Sequence, residues 1–398
     1  MNRLARISFR VLFCTALAAG TVSAAEDRAV AEDHAAPEVL RTAIRRGLGF
    51  LLKTQNPGGW WSSKDHPAVT GLVLTAFMQE PDARQRSEWS SELNRGFDFV
   101  LESAQADGSI HRGSLKNYNT SLCLLALAAS GNAQYQPVIE RARTFLVGSQ
   151  IDMGQRGRVD SPFDGGVGYG SKYQHSDLNN TVVALEALRK SESLERRPKG
   201  QEGADLNWAA ALNFLQACQN LPSKNSAEWV SSSPADLGGF VYYPGNSMAG
   251  STKDPVTGRT ALRSYGSMSY AGLLSFIYAR LGADDPRVAA VIEWLGRNYT
   301  LDENPGMGAQ GYYYYLHLMA KALSTAGIES LTLADGTRVA WRDQVSRKLL
   351  SLQKPDGSWL NHESRWWEAD AAIVTAYVVL TLQEIEAARP ARNPEGRS

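Results

Sequence analysis

The chain repeats one helical hairpin six times, and this repeat constrains the fold more than any other feature of its 398 residues. Each unit reads as an amphipathic helix, a polar anchor residue, a glycine turn and a second helix that is apolar almost all round. The anchor residues are Gln55, Gln105, Gln150, Gln219, Tyr299 and Gln353. Because a helix that is apolar on every face must be buried on both sides, the two alternating helix types predict an inner and an outer ring.

Six hairpins can close on themselves, and closure removes the exposed ends that an open solenoid must cover with polar capping repeats. The sequence shows no such caps. We therefore predict an all-α fold with a single (α/α)6 toroid, or barrel, over residues 38–388.

A glycine turn falls at one place in every unit. The turns contain Gly58-Gly59, Asp107-Gly108, Asp164-Gly165-Gly166, Gly238-Gly239, Gly306 with Gly308, and Asp356-Gly357. Glycine adopts positive φ angles at low cost, so these residues are predicted to reverse the chain after each outer helix. Trp60, Phe240 and Trp359 follow their turns and are predicted to fold back onto the hairpin.

The segments outside the repeat have their own patterns. Residues 1–24 contain arginines, a short apolar stretch and Val22-Ser23-Ala24, which are typical of a secretory signal peptide cleaved near Ala24. We expect the protein to be exported to the periplasm or the extracellular space without a transmembrane anchor, because the apolar stretch is too short to span a bilayer. Residues 221–262 are predicted to form a long loop insertion, and residues 389–398 a disordered tail.

Composition and spacing exclude several classes of function. The 41 basic and 41 acidic residues give no positive surplus, which argues against a nucleic-acid partner. No phosphate-binding loop or metal-ligand spacing occurs, so no metal or cofactor is expected. Cys123 and Cys218 follow apolar helical patterns; burial as two small side chains is favoured over a disulfide, although the sequence leaves both open.

The turn motifs resemble those of a known repeat superfamily. The run Gln353-Lys354-Pro355-Asp356-Gly357-Ser358-Trp359 is similar to the QW repeat of squalene–hopene and oxidosqualene cyclases, and Gln55-Asn56-Pro57-Gly58-Gly59-Trp60 echoes it. Gly238-Gly239-Phe240 and the following helix resemble the repeat of protein prenyltransferase β subunits. The resemblance extends over about residues 40–386 and implies an α/α toroid, a fold that hosts several functions.

Squalene–hopene-type cyclases carry a DxDDT motif whose central Asp protonates the substrate, and the resemblance places Asp177-Leu178-Asn179-Asn180-Thr181 at that motif. Asn179 takes the position of the central Asp. An amide is not a strong proton donor, so this departure counts against cyclisation by the family's route. Asp177 also suits the N-cap of the helix that follows, and the two roles are compatible.

The prenyltransferase resemblance is tested at the zinc ligands of that family. Arg263 falls at the Asp position and Tyr265 at the Cys position. An Arg cannot ligate zinc and no thiolate lies nearby in the sequence, so prenyltransferase activity is excluded.

In a toroid the N-terminal ends of the inner helices share one rim, so side chains that are distant in sequence converge there. Carboxylates and imidazoles are the usual groups of acid–base catalysis, and the candidates are Asp65, His66, Asp177 and Asp370. The candidate ligand-binding residues are Asn179, Asn180, Arg263, Tyr265, Tyr314, His317, Trp367 and Glu368. Since neighbouring helical residues point in different directions, at most two of Tyr312–Tyr315, and only one of Trp366 and Trp367, are predicted to reach the centre.

Three functions remain open at this point. The first is a protein that binds an apolar, isoprenoid- or triterpenoid-like ligand in the central funnel and that, if it is an enzyme, acts as a terpene cyclase or mutase. The second is a carbohydrate-active toroid enzyme that uses a pair of the rim acids. The third is a non-enzymatic scaffold that binds a protein partner through the rim and loops.

Overall fold

The computed structural model describes residues 37–170, 174–194 and 205–388, and these residues are mainly helical. The predicted signal peptide and the predicted tail lie outside them. Numbered in chain order, the helices are α1 Pro37–Thr54, α2 Pro67–Met78, α3 Ala83–Glu88, α4 Ser90–Glu102, α5 Lys116–Ser130, α6 Gln136–Gly148, α7 Leu178–Lys190, α8 Trp208–Ala217, α9 Gly266–Tyr278, α10 Pro286–Arg297, α11 Tyr312–Thr325, α12 Trp341–Ser351 and α13 Ala371–Ala387.

The helices form two concentric rings. The inner ring is α2, α5, α7, α9, α11 and α13; each of these helices packs against the next, and α13 returns to α2. Each outer helix packs against the inner ring: α1 against α2 and α13, α4 against α2, α6 against α5 and α7, α8 and α10 against α9, and α12 against α11 and α13. Helix α12 also contacts α1. The predicted (α/α)6 toroid is therefore confirmed, with its first and last units in contact.

Four of the anchor glutamines join one outer helix to the next, whereas the side-chain amide of Gln105 donates to Ser103 and His111 of its own unit. The side-chain amide of Gln353 donates to the carbonyl of Gly357 in its own turn and to the carbonyl of Ala43 in α1, at 3.0 and 2.9 Å. Gln55, Gln150 and Gln219 make the same pair of bonds to their own turns and to the start of the following outer helix. The bond from Gln353 to Ala43 closes the outer ring across the ends of the chain.

In five of the six turns a glycine is required by both backbone angle and space. Gly357 has a φ of +92°, and a Cβ atom there would lie 2.4 Å from the carbonyl oxygen of Arg46 in α1. Gly59, Gly108 and Gly238 have φ angles of +92°, +90° and +95° and meet the backbone of their own next outer helices in the same way. The turn therefore fixes the distance between neighbouring hairpins as well as reversing the chain.

The aromatic residue that folds back lies two positions after the glycine. The indole N–H of Trp359 donates to the carbonyl of Leu349 at 2.8 Å, and Trp61 makes the equivalent bond to Leu51 at 2.6 Å. Both rings are fully buried, whereas Trp60 is half-buried against Phe99. The prediction for Trp60 was therefore one residue out, because unit one has adjacent tryptophans and only the second matches the repeat position.

In the described part of the chain, four short strands lie in the connections between helices. The strands β1 Ser251–Lys253 and β2 Thr260–Leu262 form an antiparallel hairpin within residues 221–262, and β3 Leu331–Thr332 pairs with β4 Arg338–Val339. The carboxylate of Asp254 accepts bonds from the backbone N–H groups of Ser232 and Thr257 and so ties the hairpin to the rest of this segment. The hairpin is also joined to the end of α8, because the side-chain amide of Asn220, which follows that helix, donates to the carbonyl of Leu262 in β2 at 2.9 Å.

Two further observations concern predictions made above. None of the described helices is long and apolar enough to cross a membrane. Cys123 and Cys218 are both buried as free thiols.

Candidate functional site

A repeated hydrogen bond sets the rotation of the inner helices. In five units the backbone N–H two residues after the turn glycine donates to a hydroxyl in the inner helix, and the pairs are Trp61 with Thr70, Ile110 with Thr120, Val167 with Thr181, Phe240 with Ser269, and Trp359 with Thr375. Thr181 therefore makes a structural hydrogen bond that recurs in the repeat, and its match to the Thr of the DxDDT motif is not evidence for catalysis.

The residue two positions before each of these hydroxyls faces the centre of the ring. These residues are Ala68, Tyr118, Asn179, Ser267 and Ile373, and all of them line a central cavity. Asn179 aligns with the central Asp of the DxDDT motif. It is thus one of five equivalent inner-helix positions whose side chains line the central cavity.

The central cavity has two adjoining lobes at the rim formed by the N-terminal ends of the inner helices. Their volumes are about 180 and 110 Å³. Eight Tyr and Trp side chains of the described residues line the lobes, and they are Tyr118, Tyr169, Tyr242, Tyr265, Tyr314, Tyr377, Trp366 and Trp367. Within the described part of the chain, no Asp or Glu side chain lines either lobe. The wall is therefore aromatic and apolar, with a few hydroxyl and amide groups.

Trp366 and Trp367 form the mouth of the cavity. Both line its two lobes while remaining 43% and 48% exposed, so the prediction that only one of them reaches the centre is wrong. The reason is the backbone: both residues have positive φ angles, 55° and 69°, and the turn directs both rings over the opening. The ring of His66 packs edge-on against Trp367 at 4.8 Å between centroids.

His66 also lines the smaller lobe, at the N-cap of α2. Its Nδ1 atom is buried and has no hydrogen-bond partner among the described residues. Burial lowers the pKa of His66, so the neutral imidazole is favoured.

The side-chain amide of Asn179 in α7 is held by a tyrosine from α11, two helices further around the inner ring. The hydroxyl of Tyr314 donates to Oδ1 of Asn179 at 2.6 Å. Since this bond occupies the oxygen, the amide nitrogen is the group of Asn179 that remains to interact with a ligand. The other three residues of the Tyr312–Tyr315 run do not line the cavity lobes.

Asp177 lies behind the cavity wall and caps α7. Its carboxylate accepts bonds from the backbone N–H and the side-chain amide of Asn180, at 2.9 and 2.7 Å, and the side chain is fully buried. Burial raises the pKa of Asp177 from 3.8 to about 6, although these hydrogen bonds oppose the rise.

Two tyrosines from different units share a hydrogen bond in the cavity wall. The hydroxyls of Tyr242 and Tyr169 are 2.7 Å apart, and both rings line the larger lobe. The wall of the larger lobe therefore contains a pair of hydroxyl groups that are bonded to each other.

Two other rim acids are helix caps. Glu368 is almost fully buried and accepts bonds from the backbone N–H groups of Tyr313 and Tyr314 at the start of α11 and from the amide of Asn361. Burial raises the pKa of Glu368. Asp370 caps α13 through the N–H groups of Ala372 and Ile373. Neither carboxylate lines the cavity lobes.

The remaining sequence candidates lie away from the central cavity. Asp65 and Arg263 are exposed, and Asn180 is buried against Asp177. His317 lines a different cavity of about 200 Å³, which also contains Glu186, Lys321 and Glu384. That cavity is formed by residues nearer the C-terminal ends of the inner helices, because His317 lies one turn further along α11 than the rim residues.

The structure therefore brings together His66, Asn179, Tyr265, Tyr314 and Trp367 of the predicted set, and it adds aromatic residues that the sequence reasoning did not assign. Tyr169 and Tyr242 each follow the turn glycine of their unit by four residues. This shared spacing from the turn glycine could have identified both tyrosines as equivalent positions in the sequence. Among the described residues, no group of three or more His, Cys, Asp or Glu side chains is arranged to hold a metal ion.

No protein-family model matches this chain. Drimenyl diphosphate synthase from Streptomyces showdoensis is 26% identical over 190 residues, which are 45% of this chain and 31% of that protein. The match thus spans about a third of the length of this curated relative.

Solved structures share the architecture at low identity. The ligand-free type II terpene cyclase MstE from Scytonema has a TM-score of 0.51 and 14% identity, covering 89% of this chain and 100% of that one. A family 76 glycoside hydrolase from a bovine Bacteroides thetaiotaomicron strain has a TM-score of 0.53 and 14% identity, covering 86% of this chain and 77% of that one. At such identities the likeness establishes the α/α toroid fold and leaves the activity open.

Proposed function

We propose that the central cavity binds an apolar, unsaturated chain of the isoprenoid class, and that the protein acts on it as a cyclase- or isomerase-like enzyme. The observation that carries this proposal is the composition of the cavity wall. Eight Tyr and Trp rings of the described residues surround the two lobes, with no carboxylate among their described lining residues.

An aromatic wall favours such a ligand for two physical reasons. Transfer of apolar surface from water is worth about 25 cal/mol per Å², so a hydrocarbon chain gains most from burial there. The faces of Tyr and Trp rings also attract positive charge, which suits a chain that becomes cationic when one of its double bonds is protonated. The few polar groups, such as the amide of Asn179, can orient one end of the ligand.

The comparisons support this choice without deciding it. MstE has been solved in complex with geranylgeranyl dihydroxybenzoate as its substrate, and the curated relative is a drimenyl diphosphate synthase. The glycoside hydrolase likeness fits the carbohydrate alternative. That chemistry requires two carboxylates flanking the bound sugar, whereas Glu368 and Asp370 cap helices outside the lobes.

The experiment is a binding titration with geranylgeraniol and farnesol, followed by fluorescence from Trp366 and Trp367 at the cavity mouth and confirmed by calorimetry. Both alcohols are expected to bind, and α-1,6-mannotriose is expected not to bind. Replacement of Trp367 by Ala is expected to weaken alcohol binding about tenfold, because an aromatic contact of one to two kcal/mol is lost.

Trp60→Ala is the matched control, because Trp60 packs against Phe99 outside the cavity and is also half-buried. Its affinity for the alcohols should equal that of the wild type. Binding of mannotriose with no binding of either alcohol would overturn the proposed ligand class and favour the carbohydrate alternative. Export of the protein, predicted from residues 1–24, remains a separate prediction.

A further inference from the structure

The cavity that contains Glu186, Lys321 and Glu384, which we call the charged cavity, lies at the opposite end of the ring from the aromatic rim. Each inner helix contributes a residue from its last turn or its C-cap, and these residues are Gln79, Ala129, Lys190, Tyr278, Thr325 and Glu384. Four of the six are exposed, whereas Tyr278 and Glu186, which lies one turn further inside α7, are buried. The charged cavity therefore opens to solvent at its mouth and ends in a buried floor, so a small ligand can enter it.

The helix ends around this cavity favour a positive ligand. The last four carbonyl groups of an α-helix have no donor within the helix, and they carry a partial negative charge. The C-terminal ends of the inner helices surround the charged cavity, whereas their N-terminal ends surround the aromatic cavity at the other rim. Helix ends alone define no site, so the side chains inside the cavity decide what it can bind.

The basic side chains of the charged cavity leave little attraction for an anion. The ammonium group of Lys321 donates to the carboxylate of Glu186 at 2.9 Å, and the two form an ion pair. Lys190 is exposed at the mouth, where water and salt screen its charge. Burial lowers the pKa of His317 well below its ordinary value, so its imidazole is neutral. Among the described lining residues, no buried cation is therefore left unpaired.

Two groups of the charged cavity that can accept hydrogen bonds lack a donor. The carboxylate of Glu384 is half-buried and makes no hydrogen bond or ion pair with the described residues. Burial raises the pKa of Glu384, and the positive charges of Lys190 and Lys321 do not fully offset this rise. The hydroxyl of Tyr278 is buried and has no hydrogen-bond partner among the described residues. A ligand with several N–H donors would satisfy both groups.

Much of the remaining wall of the charged cavity is apolar. Leu122, Leu125 and Leu380 line it beside the polar groups. The volume is about 200 Å³, and a water molecule occupies about 30 Å³ in the liquid, so the cavity has room for roughly seven groups of that size. A primary ammonium on a chain of about six carbons matches both this size and the division of the wall into a polar and an apolar part.

We propose that the charged cavity is a binding site for a primary alkylammonium ligand. Glu384 and Tyr278 accept hydrogen bonds from the ammonium group, and the leucine side chains contact the alkyl chain. A quaternary ammonium carries the same charge but has no N–H to donate, so it satisfies neither acceptor. This site is separate from the aromatic cavity, and it requires neither an isoprenoid ligand nor a reaction.

The test is calorimetric titration of the wild-type protein at pH 7 in low salt with ligands of one chain length. The ligands are hexylamine, hexanol, hexanoate and hexyltrimethylammonium. Hexylamine is expected to bind about tenfold more tightly than hexanol or hexanoate, because hydrogen bonds between ionised partners are stronger than neutral ones and an anion is repelled. Hexyltrimethylammonium should bind about threefold more weakly than hexylamine, or weaker still, since it cannot donate a hydrogen bond.

Three variants locate the bound amine. Glu384→Gln keeps the shape of the side chain and removes its charge, so hexylamine should bind about tenfold more weakly. Tyr278→Phe removes a hydroxyl that has no partner among the described residues, so the fold is retained and hexylamine should bind about threefold more weakly. The control is Glu386→Gln, which makes the same change in α13 at a side chain that bonds to Arg41 outside the cavity. Its affinity for hexylamine should stay within about twofold of the wild type.

Equal binding of hexylamine and hexanol by the wild type would overturn the amine site. Wild-type affinity for hexylamine in Glu384→Gln or Tyr278→Phe would overturn it too, because the amine would then lie elsewhere, such as against the rings of the aromatic cavity. The isoprenoid titration is independent of these results. If geranylgeraniol and farnesol fail to bind while Glu384→Gln weakens hexylamine binding, the proposed function is wrong and the amine site stands. If the isoprenoid alcohols bind but hexylamine does not, the amine site is wrong and the proposed ligand class stands.

Discussion

Replacement of Asp177 by Asn should change how the stability of the protein depends on pH. Burial raises the pKa of Asp177 from 3.8 to about 6, a shift of about two units, and each unit corresponds to 1.36 kcal/mol of free energy. The folded state therefore holds this proton more tightly than the unfolded state. The resulting stabilisation, about 3 kcal/mol, is present in full below pH 4 and is lost as the pH rises through 6.

The Asn variant cannot lose this proton, so its stability lacks that decline. Its side-chain oxygen can still accept the bond from the backbone N–H of Asn180, which preserves the cap of α7. The amide nitrogen now faces the side-chain amide of Asn180, which adds a cost that does not vary with pH. Relative to the wild type, the variant should gain about 3 kcal/mol between pH 4 and pH 7.

The measurement is urea unfolding of both proteins at intervals of half a pH unit, with midpoints converted to free energy through the slope of each transition. The difference between wild type and variant removes the contribution of all other titrating groups. A difference that stays constant from pH 4 to pH 7 would refute the reasoning, since it would mean that Asp177 titrates alike in the folded and unfolded states.

Three further predictions concern stability. Asp254→Asn should change the pH dependence of the free energy of unfolding in the opposite direction. Hydrogen bonds, of which the one from the backbone N–H of Thr257 contributes most, lower the pKa of Asp254, so the stabilisation by its carboxylate is lost as the pH falls. The same urea series tests this. Gly357→Ala should lower the free energy of unfolding by about 2 kcal/mol or more. The control Gly49→Ala, at a position in α1 with open space around it, should raise the free energy of unfolding by up to about 1 kcal/mol. Equal effects of the two substitutions would contradict the requirement for glycine in the turn. Trp61→Phe should lower the free energy of unfolding by about 2–4 kcal/mol, because the buried carbonyl of Leu51 loses its indole donor. Trp60→Phe should lower it by less than about 1 kcal/mol, since Trp60 is only half-buried. A larger loss for Trp60→Phe in thermal melts would refute the assignment of Trp61 to the repeat.

The fold followed from the sequence because the repeat is a local and periodic signal. The anchor glutamine and the turn glycine recur in one order, and the inner helices are apolar all round. Ring closure followed from six units and the absence of polar caps. The hydrogen bond from Gln353 to the carbonyl of Ala43 joins the last unit to the first, although no sequence pattern identifies these two residues as partners.

The errors near the site arose where local patterns are ambiguous. The two adjacent tryptophans of unit one could be aligned in either way, and only burial against Leu51 distinguishes Trp61 from Trp60. Helical spacing predicted that Trp366 and Trp367 point apart. Their positive φ angles break the helical geometry on which that prediction depended.

Which side chains form the candidate site depended on tertiary structure more strongly than the fold did. His317 and Tyr314 lie one helical turn apart in α11, yet Tyr314 lines the aromatic cavity and His317 lines the charged one. Tyr169 and Tyr242 come from loops of different units and meet only when units three and four pack together. The sequence could nominate Asp177 but could not show that its side chain is fully buried outside the cavity lining.

By itself the sequence determined the number of units, the two kinds of helix and the positions of the turns, because those features depend on periodicity and on the backbone freedom of glycine. It also fixed Asn179, an amide, at the position where the resembling cyclases carry an acid. Only the tertiary structure decided which side chains face the centre, since that depends on the rotation of each inner helix set by bonds such as that from Val167 to Thr181. Burial of Asp177, which raises its pKa to about 6, arises from packing between units that no local pattern encodes.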